Sequence, residues 1–257
     1  MHILITNDDG IDAPGLFALA QALKQDHEIK VIAPNHNWSA SGHVKTMHRP
    51  LRVKEFDLGQ GIPAFSTDGA PSDCVALALL GLVDGPIDLV VSGINPNANL
   101  GHDVTYSGTV TAAMEAAISG VPGLAFSLDG SSYQDRTLDY SAAASIAAQI
   151  VASLEGRKLR QNTVLNINIP YAKREEIRGL TITRQGQRVY RDELIQRKDP
   201  KNRPYYWIGG EAPSGIADPG TDIWALSQGL VSITPLKLDL THQDDMQALQ
   251  DWDLKLA

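Results

Sequence analysis

The chain has 257 residues, 43% of them hydrophobic and 20% charged, with a net charge of −8. That length holds one large α/β domain, alone or with a small appendage, and the acidic balance argues against a partner such as a nucleic-acid polymer, which needs a basic surface. The lone cysteine, Cys74, excludes an intrachain disulfide framework, and no apolar run approaches the roughly 18 residues of a membrane span, so the expected setting is cytoplasmic, without a membrane.

Residues 1–6 read as a buried strand that stops in Asn7-Asp8-Asp9-Gly10. The segment reaches Asp8 too early, and without a basic leader, for a signal peptide. Residues 14–24 form a helix with Pro14 suited to its first turn. A strand over 28–33 is closed by Pro34 and a polar loop over 35–43. Strands are expected at 51–56 and 64–67, and a helix from Pro71 to about residue 80. Cys74 falls in the apolar run of that helix and reads as a buried small hydrophobe. A strand at 88–92, a loop rich in Gly and Asn, an Ala-rich helix over 109–119 and a strand at 123–128 follow. A helix over 140–154 and a strand at 164–169 complete the pattern. Strands alternating with helices point to a parallel sheet covered on both faces.

From about Gly179 the regularity fades. Residues 184–203 hold seven basic side chains against three acidic ones, either a solvated hairpin or an electropositive flap for phosphorylated ligands. Trp207, Ile208, Trp224 and Leu226 have no clear second core of their own. The reading is a core over 1–178 with a C-terminal arm over 179–257 that is not an independent domain and buries its apolar side against a partner chain.

Adjacent carboxylates about 4 Å apart repel by about 4 kcal/mol at an effective dielectric near 20. Protonation of one, or a cation between them, removes the penalty. In open α/β sheets ligands collect beyond the carboxyl ends of the strands. Three polar loops begin there, at 7–12, 35–43 and 93–108, and they offer Asp8 and Asp9, Ser39, and Asn95. Two carboxylates, a hydroxyl and an amide oxygen suit one Mg²⁺ or Mn²⁺. The spacing of a zinc site is absent. The third loop ends in Tyr106-Ser107-Gly108-Thr109, which opens a helix. Free N–H groups there, with a glycine and two hydroxyls, make an anion site, and a metal beside such a cradle is equipment for phosphoryl chemistry. The sequence holds no Gly-x-x-x-x-Gly-Lys-Ser/Thr loop, no Gly-x-Gly-x-x-Gly after the first strand, no His-Glu-x-x-His and no Gly-x-Ser-x-Gly elbow.

Ile5-Thr6-Asn7-Asp8-Asp9-Gly10 and Ser92-Gly93-Ile94-Asn95 through Tyr106-Ser107-Gly108-Thr109-Val110 resemble motifs of the SurE (survival protein E) family of metal-dependent 5′-nucleotidases. Gly69-Ala70-Pro71-Ser72-Asp73-Cys74, Tyr206-Trp207-Ile208-Gly209-Gly210, Gly220-Thr221-Asp222 and Ser232-Ile233-Thr234-Pro235-Leu236 extend the likeness over nearly the whole chain. The resemblance implies a Rossmann-like three-layer α/β/α sandwich whose C-terminal part exchanges elements in a homodimer or homotetramer. It implies hydrolysis of nucleoside 5′-monophosphates, often with broad specificity reaching 3′-nucleotides and short polyphosphate. Position by position it assigns Asp8, Asp9, Ser39 and Asn95 to the metal, and Asn99, Ser107, Gly108 and Thr109 to phosphate. Asn97 and Ala116 stand where the family usually has Gly.

The implied mechanism is hydrolysis assisted by one divalent ion, with Asp8 or Asp9 orienting or deprotonating water and His43 or His102 as candidate acids for the leaving group. Two other readings use the same residues: a metal-dependent nucleotide sensor without turnover, and a phosphatase of another phosphorylated metabolite.

Overall fold

The structure, a computed structural model, describes residues 1–130, 137–252 and 254. Its strands are β1 (His2–Thr6), β2 (Glu28–Pro34), β3 (Val53–Asp57), β4 (Pro63–Thr67), β5 (Leu89–Asn95), β6 (Gly123–Asp129), β7 (Thr163–Pro170), β8 (Leu180–Ile182), β9 (Gln187–Lys198), β10 (Pro204–Ile216) and β11 (Val231–Lys237). Among the described residues nine of these form one sheet in the order β3-β4-β2-β1-β5-β6-β7-β11-β8, and β9 with β10 forms a separate antiparallel hairpin. The six strands from β4 to β7 in that order run parallel, as continuous apolar runs buried on both faces must.

Side chains alternate across the sheet. Ile3, Ile5, Val31 and Val91 point into one core with Leu16 and Leu19 of α1 (Pro14–Leu23) and Ile146 and Ile150 of α4 (Ser141–Ser153). Leu4, Ile32 and Val90 point the other way, onto Val75 of α2 (Pro71–Leu77) and Ala112 and Ala116 of α3 (Gly108–Ile118). Fully burying one such aliphatic side chain is worth roughly 1.5–3 kcal/mol. The result is the three-layer α/β/α arrangement that the alternating pattern predicts.

Several boundaries differ from the sequence reading. The third strand begins at Val53 rather than 51, and α2 ends at Leu77 before a wider turn over Ala78–Leu82 in which Gly81 has φ +105°. β5 continues past Ser92 to Asn95, with its register on β6 shifting between those residues. Gly93 makes that continuation possible, because a Cβ there would lie 2.4 Å from the Phe126 carbonyl oxygen.

The last third of the chain divides in two. β11 pairs antiparallel with β7 and parallel with the short β8, so both extend the main sheet. Pro235 lies beyond the β8 pairing, where its missing N–H costs no ladder bond on that side. Between them α5 (Asp222–Ser227) buries Leu226 and half-buries Trp224, with Thr221 capping Trp224 N at 3.2 Å. The hairpin leaves Trp207, Ile208 and Leu194 exposed. A final helix, α6 (Gln243–Gln250), has no buried residue.

β1 lies between β2 and β5, so the chain leaves it in both directions across the sheet. That reversal opens a crevice at the carboxyl ends of β1 and β5.

Candidate active site

The turn after β1 is closed by Asn7, whose side chain accepts from Gly10 N at 3.2 Å and donates to the Gly10 carbonyl at 2.9 Å. This presents Asp8 and Asp9 at the crevice. The second loop is pinned to the first, since Trp38 N donates to the Asp8 carbonyl at 2.7 Å. Asn37 then accepts from Ser39 N at 2.7 Å and reaches Asp9 Oδ1 with its amide at 3.4 Å. The same loop meets the third through Gly42 N, which donates to the Tyr106 carbonyl at 2.9 Å.

Farther along, that second loop is held by two buried acids the sequence reading did not single out. Glu115 of α3, 4% exposed, pairs with His43 Nε2 at 3.0 Å and Lys45 Nζ at 2.8 Å. Asp73 of α2 accepts from Thr46 N at 2.8 Å, Thr46 Oγ1 at 2.6 Å and Ala70 N at 2.9 Å.

Asn95 closes β5, and its amide nitrogen donates to the Asn97 carbonyl at 2.6 Å, leaving the amide oxygen as its outward acceptor. Asn97 is exposed and keeps a negative φ, so this position has no need of glycine. Asn99 is buried in a polar net. Its N–H donates to Asn168 Oδ1 at 2.8 Å, its carbonyl accepts from Asn166 and Asn168, and its Nδ2 donates to Ser127 Oγ at 2.9 Å. One Nδ2 hydrogen remains for a ligand.

Asp8, Asp9, Asn37, Ser39, Asn95, Asn99, Asp103, Tyr106, Ser107 and Arg188 line one cleft of about 440 Å³. Three loops and the hairpin thus bring the four expected metal ligands, and Asn99 and Ser107 of the expected phosphate ligands, to one place. Gly108 and Thr109 sit behind Asp8 instead. Thr109 Oγ1 donates to Asp8 Oδ1, the Gly108 and Thr109 N–H groups face the same carboxylate, and a Cβ on Gly108 would lie 2.7 Å from Asp8 Cβ. Asn37, Asp103, Tyr106 and Arg188 were not expected in the cleft as ligands. Arg188 had a signal only as one of seven basic residues between 184 and 203.

The candidate histidines are elsewhere. His43 is committed to Glu115, and His102 lines a separate groove with Arg184, Gln187 and Asp218. A larger groove of about 560 Å³ runs beside α4, but its carboxylates, Asp139, Glu175 and Glu176, are all exposed. The smaller cleft is the one that gathers buried and half-buried carboxylates with neutral oxygen donors, and it is the candidate site.

The electrostatics of the pair are unusual for surface aspartates. Burial raises Asp8 above the ordinary carboxylate range, against the bonds from Thr109 and the helix N–H groups. Burial, together with the charge of Asp8, pushes Asp9 up to about 7. Among the described residues no three His, Cys, Asp or Glu side chains cluster as metal ligands. A cation here must then be held by two carboxylates and neutral oxygens, which is the donor set of a hard divalent ion rather than zinc.

A model of the family "Survival protein SurE" matches residues 3–192. The 5′-nucleotidase SurE of Herpetosiphon aurantiacus is 51% identical over 250 residues, 97% of each chain. That of Chloroflexus aggregans is 49% identical over 253 residues, covering 98% of this chain and 99% of the relative. The crystal structure of the SurE protein from Aquifex aeolicus superposes with a TM-score of 0.83 at 38% identity, covering 99% of this chain and 100% of that one.

Proposed function

Because this chain belongs to the SurE family, we propose that it is a divalent-metal-dependent 5′-nucleotidase that hydrolyses nucleoside 5′-monophosphates to nucleoside and inorganic phosphate. The observation that carries the reading is the convergence of Asp8, Asp9, Ser39, Asn95, Asn99 and Ser107 on one cleft.

Asp8, Asp9, Ser39 and Asn95 would hold one Mg²⁺ or Mn²⁺, and that ion, when bound, supplies Lewis-acid polarisation of a phosphate oxygen. The chain's own groups do the rest. Thr109 and the first N–H groups of α3 fix Asp8 in place. Among the described residues Asp9 has one long hydrogen-bond partner, Asn37 at 3.4 Å, and its other oxygen is left to orient the attacking water. The spare Nδ2 hydrogen of Asn99 and the hydroxyl of Ser107, whose oxygen already caps Val110 N at 3.2 Å, donate to phosphate oxygens. The family resemblance supports breadth toward 3′-nucleotides and short polyphosphate, and the described groups that would meet a phosphate lie on three loops around the cleft.

The proposal includes a homodimer or homotetramer assembled through the residues after 178, supported by exposed Trp207 at 63%, Ile208 at 84% and Trp252 at 66%. It also includes a cytoplasmic setting, supported by the single buried Cys74, whose thiol is pushed up by burial. Among the described residues no helix is long and apolar enough to cross a membrane.

A phosphate-release panel tests the function: nucleoside 5′- and 3′-monophosphates, sugar phosphates and pyrophosphate, each with Mg²⁺ and with Mn²⁺. The highest kcat/KM is expected for 5′-monophosphates. Saturable nucleotide binding with no phosphate release would leave a sensor, and preference for a sugar phosphate would leave another phosphatase.

A further inference from the structure

We propose that Arg188, contributed by the hairpin rather than by the sheet, is the cleft's phosphate-binding cation, and that Asp103 is the residue that positions it. This rests on the phosphomonoesterase reading above. Among the described residues lining the cleft, Arg188 is the one cation, beside the three carboxylates of Asp8, Asp9 and Asp103. A phosphate monoester brings a charge of about −1.5 to −2. One divalent ion offsets Asp8 and Asp9 alone, so without Arg188 the substrate would face the uncompensated charge of Asp103, which otherwise has the neutral hydroxyl of Tyr190.

The guanidinium is held in advance of any ligand. Its Nε lies 2.7 Å from Asp103 Oδ2, and Nη1 donates to the Pro213 carbonyl at 3.3 Å. Tyr190, two residues along the same strand, donates its hydroxyl to Asp103 Oδ1 at 2.6 Å. The Asp103 contact is an ion pair without hydrogen-bond alignment, so among the described residues the Nε–H is buried with no bonded partner, and it and the Nη2 hydrogens remain for a phosphate oxygen. Three other arginines of the arm are spent differently: Arg184 on Asp218, Arg191 on Glu211 and Arg203 on Asp199, with side chains 60%, 62% and 72% exposed against 16% for Arg188. A guanidinium so shielded acts on an anion through less water than those three do.

The backbone beneath is fixed just as firmly. The fully buried carboxylate of Asp222 accepts from Gly101 N and from Gly186 N, both at 2.8 Å, and Gln185 Nε2 donates to the Gly101 carbonyl at 2.8 Å. Gly101 has φ +52°, and a Cβ there would lie 2.4 Å from the Gly186 carbonyl oxygen and 3.2 Å from Arg188 Cγ. The hairpin root and the turn Gly101–Thr105 that leads into α3 thus meet at van der Waals distance, and Arg188 enters the cleft from that seam.

The test is calorimetric binding of inorganic phosphate to the metal-loaded full chain, with steady-state kinetics alongside. Arg188→Met is expected to weaken phosphate binding at least tenfold and to raise KM for a nucleoside 5′-monophosphate by a similar factor. Its divalent-ion affinity, measured without phosphate, should not fall. Arg188→Lys, which keeps the charge and stem should the Met variant disturb the hairpin, is expected to fall between the two. Arg197→Met removes an exposed charge from the same hairpin and should bind phosphate as the parent does. Parent-like phosphate affinity in both Arg188 variants overturns the proposal, as does a parent chain that binds no phosphate. A parent chain that binds phosphate but releases none from nucleotides overturns the nucleotidase reading alone, and the Arg188 comparison still decides this one.

Discussion

The cleft loops and the β9–β10 arm meet at the Arg188–Asp103 ion pair, yet they are built by opposite means. Each cleft loop is held by buried polar groups: Asn99 by Asn166, Asn168 and Ser127, the 43–46 stretch by Glu115 and Asp73. Buried and satisfied, such bonds specify one geometry because breaking any of them strands a polar group without water. The arm has its own ladder and, away from its root, exposed side chains. The cleft is therefore expected to be sensitive to single atoms and tolerant of changes in the arm's outer half, while assembly should respond the other way.

Removing a carboxylate should break that contrast most severely. Asp8→Asn or Asp9→Asn is expected to cost on the order of a thousandfold in phosphate release, with the melting temperature retained or raised because a buried charge has gone. Gly108→Val comes next. Its Cβ would meet Asp8 Cβ at 2.7 Å and Oδ2 at 3.0 Å, so kcat should fall about a hundredfold by displacing Asp8, with far-ultraviolet circular dichroism unchanged.

Glu115→Ala tests the holding of the second loop. It should destabilise the chain by about 1–2 kcal/mol in denaturant unfolding and raise the divalent-ion concentration needed for half activity, because the loop carrying Ser39 loses the tie that His43 and Lys45 make to α3.

The pH dependence follows from the raised aspartates. Their folded-state values lie above the unfolded one, so the metal-free fold binds extra protons at low pH. The contribution of Asp9 to stability is full below about pH 4 and is lost as pH rises toward 7, by at most about 4 kcal/mol, and that of Asp8 is lost in the same direction. Metal-free Asp9→Asn should show a shallower fall in melting temperature from pH 4 to 7, and added Mn²⁺ should stabilise the parent chain more at pH 7.5 than at pH 5. The smallest folding effect is expected in the arm. Ile208→Ser should change unfolding free energy by less than about 0.5 kcal/mol while shifting the sedimentation profile toward smaller species.

The convergence of the candidate residues on one cleft was legible because they sit where strand patterns stop. Asp8 and Asp9 end an apolar run, and Ser107 opens an Ala-rich helix. β5 past Ser92 was hidden, since Gly93 reads as a break until Phe126 is known to lie against it. Asn166 and Asn168 alternate with apolar residues on β7 as any strand does, and nothing local says that they face Asn99 rather than water. The same holds for Glu115, whose partners are more than 60 residues away along the chain. β11 was lost in the fading of the pattern after Gly179, because Ser232, Thr234 and Pro235 interrupt its apolar positions. Charge count drew attention to the basic segment, but only the seam of Gly101 against Gly186 shows which arginine enters the cleft.

The most direct measurement is phosphate release from a nucleoside 5′-monophosphate before and after exhaustive chelation, followed by readdition of Mg²⁺ or Mn²⁺. The account predicts that activity is abolished by the chelator and restored by the ion in the parent chain, and not restored in Asp8→Asn or Asp9→Asn. Full activity in the chelated parent chain would contradict it.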